Sequence, residues 1–191
     1  TFRQAAPPES SDSPRVLVVS SGSLGQLVEI ALVTAFRLAG YRPVILTDYD
    51  RWMGAYYREI GVQEHLYWDD CFRQVPMAEA VHVMASIGSF EQLIRTDYCG
   101  ARVGKYAAST VLRHLRVGRL DLSDRTVRDA LLPFLHRAMC YARTAEAIVN
   151  TLRPQLVLSV DTGYSPRGEL FDLCLAAGID TITWNAAHRN N

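Results

Sequence analysis

Apolar residues along this chain alternate between two patterns. Short continuous runs, bounded by Ser, Gly, Pro or Asp, stand at "RVLVVS" (15–20), "PVILT" (43–47), "QLVLSV" (155–160) and "DTITW" (180–184), with a weaker one at "EHLYW" (64–68). Runs of strand length that are apolar at successive positions suit strands covered on both faces, as in a parallel sheet. Between them lie stretches of helical character. "QLVEIALVTAFRLA" (26–39) is apolar nearly all round and is closed by Gly40, which predicts a buried helix. "DRWMGAYYREIG" (50–61) and "RGELFDLCLAAG" (167–178) predict two more, each ending at a glycine.

From Asp69 to about Gly104 the pattern is less regular, with short helices predicted near Met77–Ala85 and Ser89–Ile94. A further helix is expected from Lys105 to Leu115. A long one follows, in which Val127, Ala130, Phe134, Ala138, Tyr141, Ala145, Ile148 and Leu152 form one apolar stripe at three- or four-residue spacing. Ser123 is the expected cap of that helix, and Pro133 is expected to kink or split it.

Strands separated by helices predict an α/β fold: a doubly wound, Rossmann-like, mostly parallel sheet of five or six strands with helices on both faces. Right-handed crossovers give the expected order 3-2-1-4-5. In such sheets ligands sit outside the carboxyl ends of the strands, where the winding reverses between strands 1 and 4. Residues 1–14, "TFRQAAPPESSDSP", read as a flexible lead-in, and 15–191 as one Rossmann-like domain. The chain opens on Thr1 and stops at "HRNN" after a predicted strand, so it reads as part of something longer.

Composition narrows the function classes. Twenty Lys plus Arg balance twenty Asp plus Glu, so nothing global points to nucleic acid as a partner. Only Lys105 among those cations is a lysine, and arginine abundance as such is given no weight. Cys71, Cys99, Cys140 and Cys174 are far apart, without C-x-x-C or His at ligand spacing, which predicts a reduced, cytoplasmic protein with no metal site. No window has the unbroken apolar length of a membrane span.

The candidate chemistry gathers after the predicted strands. Gly22, Ser23 and Gly25 of "GSLG" follow strand 1, where glycines permit close backbone approach to a ligand or simply make the turn. The spacing is not G-x-G-x-x-G and no P-loop lysine follows. After strand 4, Pro166 and Glu169 suit the start of a helix and its dipole. Asp161, Tyr164 and Arg167 are not required by folding and are candidate substrate contacts, though Asp161 could equally cap a turn. After strand 5, His188 and Arg189 offer a base and an anion partner, or a solvated loop. Arg95, Arg102, Lys105, Arg113, Arg116 and Arg119 form a basic stretch with His114 against Asp97 alone, in which Lys105 is the first candidate for a phosphate or acidic sugar. Trp52, Tyr56, Tyr57, Tyr67 and Trp68 are either sugar-stacking rings or core.

Three segments, "GSLG", "GARVGKYAASTVLRHLRVGRLDL" and "GYSPRGELFDLCLAAGIDTITWNAAHR", make the sequence from Arg15 onward resemble the N-terminal half of GT-B glycosyltransferases of bacterial capsule and surface-polysaccharide biosynthesis. The resemblance implies an acceptor-side domain. It would face a glycan or lipid-linked acceptor at the inner face of a membrane, with a nucleotide-sugar donor held by a second domain absent from this chain and with no cofactor or metal. It implies acceptor contacts at Gly22, Ser23, Gly25, Tyr164, Arg167 and Arg189, to which the basic stretch adds Lys105, with Asp161 or His188 as general base if transfer inverts the anomeric centre, and no turnover by this chain alone. A sugar-nucleotide epimerase of the same fold, a Rossmann-type NAD-binding domain without its fingerprint, and a non-catalytic binding module remain as alternatives.

Overall fold

The computed structural model describes residues 12–20, 26–48 and 53–184. In chain order the elements are β1 (Arg15–Val19), α1 (Gln26–Leu38), β2 (Arg42–Thr47), α2 (Met53–Glu59), β3 (Glu64–Tyr67), α3 (Trp68–Cys71), α4 (Met77–Ser86), α5 (Phe90–Arg95), α6 (Val103–Leu115), α7 (Arg125–Leu152), β4 (Leu156–Val160), α8 (Arg167–Ala176) and β5 (Asp180–Trp184). The strands form one parallel sheet in the order β3-β2-β1-β4-β5, the Rossmann-like α/β arrangement the apolar runs predict. Contacts group the chain into two compact units. One holds Thr1–Cys71, Thr151–Asp161 and Gly178–Asn191, and the other Phe72–Asn150 and Thr162–Ala177.

The first unit is the sheet with its early helices. Val16, Val18, Ile45 and Leu158 of the central strands pack with Val33 of α1, Tyr57 of α2 and Val62. Registering Val19 with Ser159 sets the carboxyl ends of β1 and β4 side by side, where the strand order reverses. The edge strands are less covered, and Ile182 of β5 is 45% exposed.

Helix α1 departs from its reading as a helix buried all round. Glu29 and Val33 are buried, whereas Leu27 is 79% exposed and Val28 and Leu38 are also open. Its apolar periodicity marks two apolar faces, and only one packs on the strands.

The second unit is helical, with Leu93, Val103, Ala107, Val111, Leu131, Leu135, Ala138 and Met139 in its core. Helix α7 runs unbroken for 28 residues with Pro133 inside it. The predicted split does not occur. Its start also differs from expectation: Asp124 Oδ1 accepts the Thr126 N–H at 2.7 Å, while Ser123 donates to Asp121 instead of capping. The extended stretch 72–76 lies along α7 and takes its partners from side chains. Arg73 N donates to Thr144 Oγ1 (2.9 Å), Val75 N donates to Cys140 Sγ (3.3 Å), and His136 Nε2 meets Val75 O (2.7 Å).

At Gly104 a Cβ would stand 1.8 Å from the Leu93 carbonyl oxygen, so only glycine lets α6 leave this close to α5. Helix α5 is capped by Ser89, whose Oγ accepts from Gln92 N. Among the described residues no helix is long and apolar enough to cross a membrane.

Candidate functional site

The most concentrated chemistry in the helical unit lies where α8 packs antiparallel on α6. Three contacts set that register. Arg102, at the start of α6, donates from Nε (3.1 Å) and its backbone N (3.0 Å) to Asp172 Oδ2, and from Nη2 (2.7 Å) to Asp172 Oδ1. One turn on, the Tyr106 ring fills the space beside Gly168, where a Cβ would come within 2.2 Å of it. Near the far end of α6, the Arg113 guanidinium stands 5.2 Å from the centre of the Tyr164 ring.

Two of the expected substrate contacts lie on the α8 side of this pair. Tyr164 lies in the turn leading into α8, where Gly168 N donates to its carbonyl oxygen at 2.9 Å, and Arg167 is the first residue of that helix. Lys105 lies on α6 between Arg102 and Tyr106, its Nζ 5.2 Å from the Tyr106 ring centre. All three are partly exposed, whereas Tyr106, Gly168 and Glu169 beneath them are buried. The two helices thus carry a partly exposed ring, Tyr164, with the Arg113 cation over it, and two further partly exposed cations, Lys105 and Arg167, residue types suited to a polyhydroxylated or phosphorylated ligand.

Glu169 differs most from its sequence reading. As a first-turn acid it was expected to carry a negative charge that complements the helix dipole. Instead it is 0% exposed; Ser165 Oγ donates to Oε1, and Oε2 has no partner among the described residues. Burial pushes its carboxyl up to about 8, with the Asp172 charge adding to the rise and the Ser165 hydrogen bond opposing it. Near neutral pH Glu169 is therefore mostly a neutral carboxylic acid, able to donate as well as accept. Burial also acts against the Asp172 carboxylate, but the hydrogen bonds from Arg102 outweigh it and hold that group below the usual range. Burial, with Asp172 nearby, raises the Tyr106 phenol.

The sheet unit carries a second polar cluster at the carboxyl edge of β1. Ser20 Oγ and Tyr57 OH each donate to Glu29 Oε2 at 2.8 Å, and the two hydroxyls are 3.0 Å apart. All three residues are buried. Burial, followed by the charge of Glu29, drives the Tyr57 phenol well above its ordinary value. Tyr57 is therefore core with a polar tip, one of the two alternatives its sequence position left open.

Asp161 belongs to the sheet unit, immediately after β4, exposed and in the left-handed region at φ 50°. Gly22, Ser23, Gly25, His188 and Arg189 lie outside the described residues. Of the expected site, the structure thus gathers Lys105, Tyr164 and Arg167 in one unit. Sequence reading missed Glu169, Asp172 and Tyr106 as partners, together with the Ser20–Glu29–Tyr57 cluster. One signal was available: Glu29 in "QLVEIALV" and Glu169 and Asp172 in "GELFDLCLAA" are acids set in helices otherwise apolar around them, where a charge has to be buried.

Among the described residues no group of three or more His, Cys, Asp or Glu could hold a metal ion, and all four cysteines are free. Compared with protein-family models and with curated proteins, the sequence matches none.

Proposed function

We propose that this chain is the acceptor-binding, Rossmann-like domain of a glycosyltransferase that moves a sugar from a nucleotide-sugar donor to a glycan or lipid-linked acceptor. The observation that carries the reading is the α6–α8 surface. Tyr164 offers a ring face to a sugar, Arg167 and Lys105 offer charge to a phosphate or acidic substituent, and Glu169 supports the turn from beneath. The β1/β4 reversal in strand order is the place where sheets of this type accept ligands, and Asp161 follows β4 there. Asp161 or His188 is the general base if transfer inverts, and neither is required as a base if transfer retains. The donor is held by a second domain, and no metal or cofactor takes part.

Isothermal calorimetry with alkyl glycosides, glycosyl phosphates, nucleotide sugars and NAD tests the ligand class. Saturable binding of glycosides or glycosyl phosphates is expected. Binding of nucleotide sugars or NAD alone, with no acceptor-type ligand, would replace this reading with the epimerase or the dehydrogenase-type domain.

The exposed apolar face of α1, Leu27, Val28 and Leu38, favours a second reading as a non-catalytic module that docks a protein partner. Absence of binding to every small molecule in that panel is its expected result.

A further inference from the structure

The segment Arg113–Arg119, "RHLRVGR", closes α6, and each of its residues is exposed. It contains no acid. Elsewhere the described arginines commonly face carboxylates, as in Arg42–Glu64, Arg95–Glu91, Arg102–Asp172, Arg125–Asp129 and Arg143–Glu146. No described carboxylate pairs with Arg113, Arg116 or Arg137. Arg113 faces only the Tyr164 ring, and Phe134, 5.3 Å from His114, shares a shallow hollow with Pro133 and Arg137. The nearest acid in sequence, Asp121, is bonded to Ser123 N and Oγ and feels Arg119 alone among these cations.

Two aliphatic side chains sit among the cations: Leu115 is 42% exposed and Val117 44%. Folding accounts for one of them in part. Arg116 takes the left-handed conformation at φ 56° and Val117 N returns to Leu112 O at 3.1 Å, the closing turn in which a residue like Val117 helps seal the helix end. Nothing comparable requires Leu115 to face water.

We infer that the Arg113–Arg119 turn is a docking surface for an anionic lipid bilayer. Unpaired guanidinium groups complement lipid phosphates, and Leu115 and Val117 lie where they can enter the boundary between headgroups and acyl chains. An acidic nucleic acid would satisfy the cations but has no use for the aliphatic pair. The surface stands independently of the glycosyl-transfer reading, because Leu115, Arg116, Val117 and Arg119 are available whatever ligand the α6–α8 face takes, and only Arg113 reaches that face, through Tyr164.

The test is co-sedimentation of the full chain with vesicles of phosphatidylcholine alone, phosphatidylcholine mixed with phosphatidylglycerol, and, separately, filter binding to single-stranded RNA. Two double variants accompany it: Arg116→Asn with Arg119→Gln, and Leu115→Ser with Val117→Ser, each checked for native circular dichroism. Binding is expected only to the anionic vesicles and is expected to fall as salt rises. Loss of the two arginines should weaken it roughly 30-fold at low salt, and the serine pair should weaken it while leaving the salt dependence in place. No binding to anionic vesicles at low salt, binding by either variant as tight as the parent's, or tighter binding to RNA than to vesicles overturns the inference.

Discussion

Replacing Glu169 with glutamine should make the protein more stable, and increasingly so as pH rises. The side chain is fully buried, Oε1 accepts from Ser165 and Oε2 meets no donor, so ionisation inside the fold is strongly opposed. The carboxyl is raised from its ordinary 4.5 to about 8. A raised acid is tied to stability that is fully present below its unfolded value and lost as pH climbs to the folded one. Over that window the unfolded chain releases a proton that the native state keeps. Each pH unit costs about 1.4 kcal/mol, so the loss reaches roughly 3 kcal/mol by pH 7 and levels off near roughly 5 kcal/mol above pH 8.

Glutamine fills the same volume, keeps a carbonyl for Ser165 and cannot ionise. Urea unfolding of both proteins, followed by tryptophan fluorescence at several pH values, gives the difference directly, and shared titrations cancel in it. The two should be close near pH 4.5, with the variant ahead by about 2 kcal/mol or more at pH 7.5. A difference that stays flat with pH, or a variant weaker throughout, would refute the idea of a neutral buried acid.

Three further outcomes follow from the same packing. Gly168→Ala should destabilise by about 3 kcal/mol or more, because its Cβ would come within 2.2 Å of the Tyr106 ring and a helix-propensity gain of about 1 kcal/mol cannot offset that clash; a lowered urea midpoint checks it. Tyr57→Phe removes a 2.8 Å donor to the buried Glu29 carboxylate and should cost about 1–3 kcal/mol in the same assay, and an unchanged midpoint contradicts it. Asp172→Asn should cost about 1–2 kcal/mol at neutral pH, the pair being discounted because the Arg102 side chain is half-exposed. Since Asp172 is held below its ordinary value, that stability is present above the unfolded value and lost as pH falls, so the difference between variant and parent should shrink below about pH 4.

Most of the fold was legible because parallel strands announce themselves as short apolar runs and helix ends as glycines. "DTITW" is β5 without adjustment, and Gly40, Gly61 and Gly178 all take positive φ past helix ends. What pattern could not show was which face of an element is covered. Helix α1 is apolar on two faces and packs with one, and nothing local distinguishes Leu27 from Val33. Capping at α7 went to Asp124 instead of Ser123, a shift of one residue between two competent side chains. Pro133 lies within α7 and leaves the helix continuous; of the kink or split that the sequence alone predicted, the split does not occur.

The site was legible only as residue types at strand ends. Lys105, Tyr164 and Arg167 were read that way, but their partners depend on the antiparallel register of α6 and α8, which arises from Gly168 accepting the Tyr106 ring and Arg102 meeting Asp172 across 70 residues of sequence. Glu169 looked like a helix-dipole charge because first-turn acids usually are exposed. Its apolar neighbours were the clue that it is not.

The account rests most heavily on the α6–α8 surface as the place where an acceptor is held. Calorimetric titration of the full chain with a glycosyl phosphate, repeated on Tyr164→Ala and Lys105→Ala, tests it most directly. Each substitution is expected to weaken binding about tenfold, as loss of one ring stack or one charge contact should. Full affinity in both variants, with both proteins folded, would place the ligand elsewhere and contradict the account.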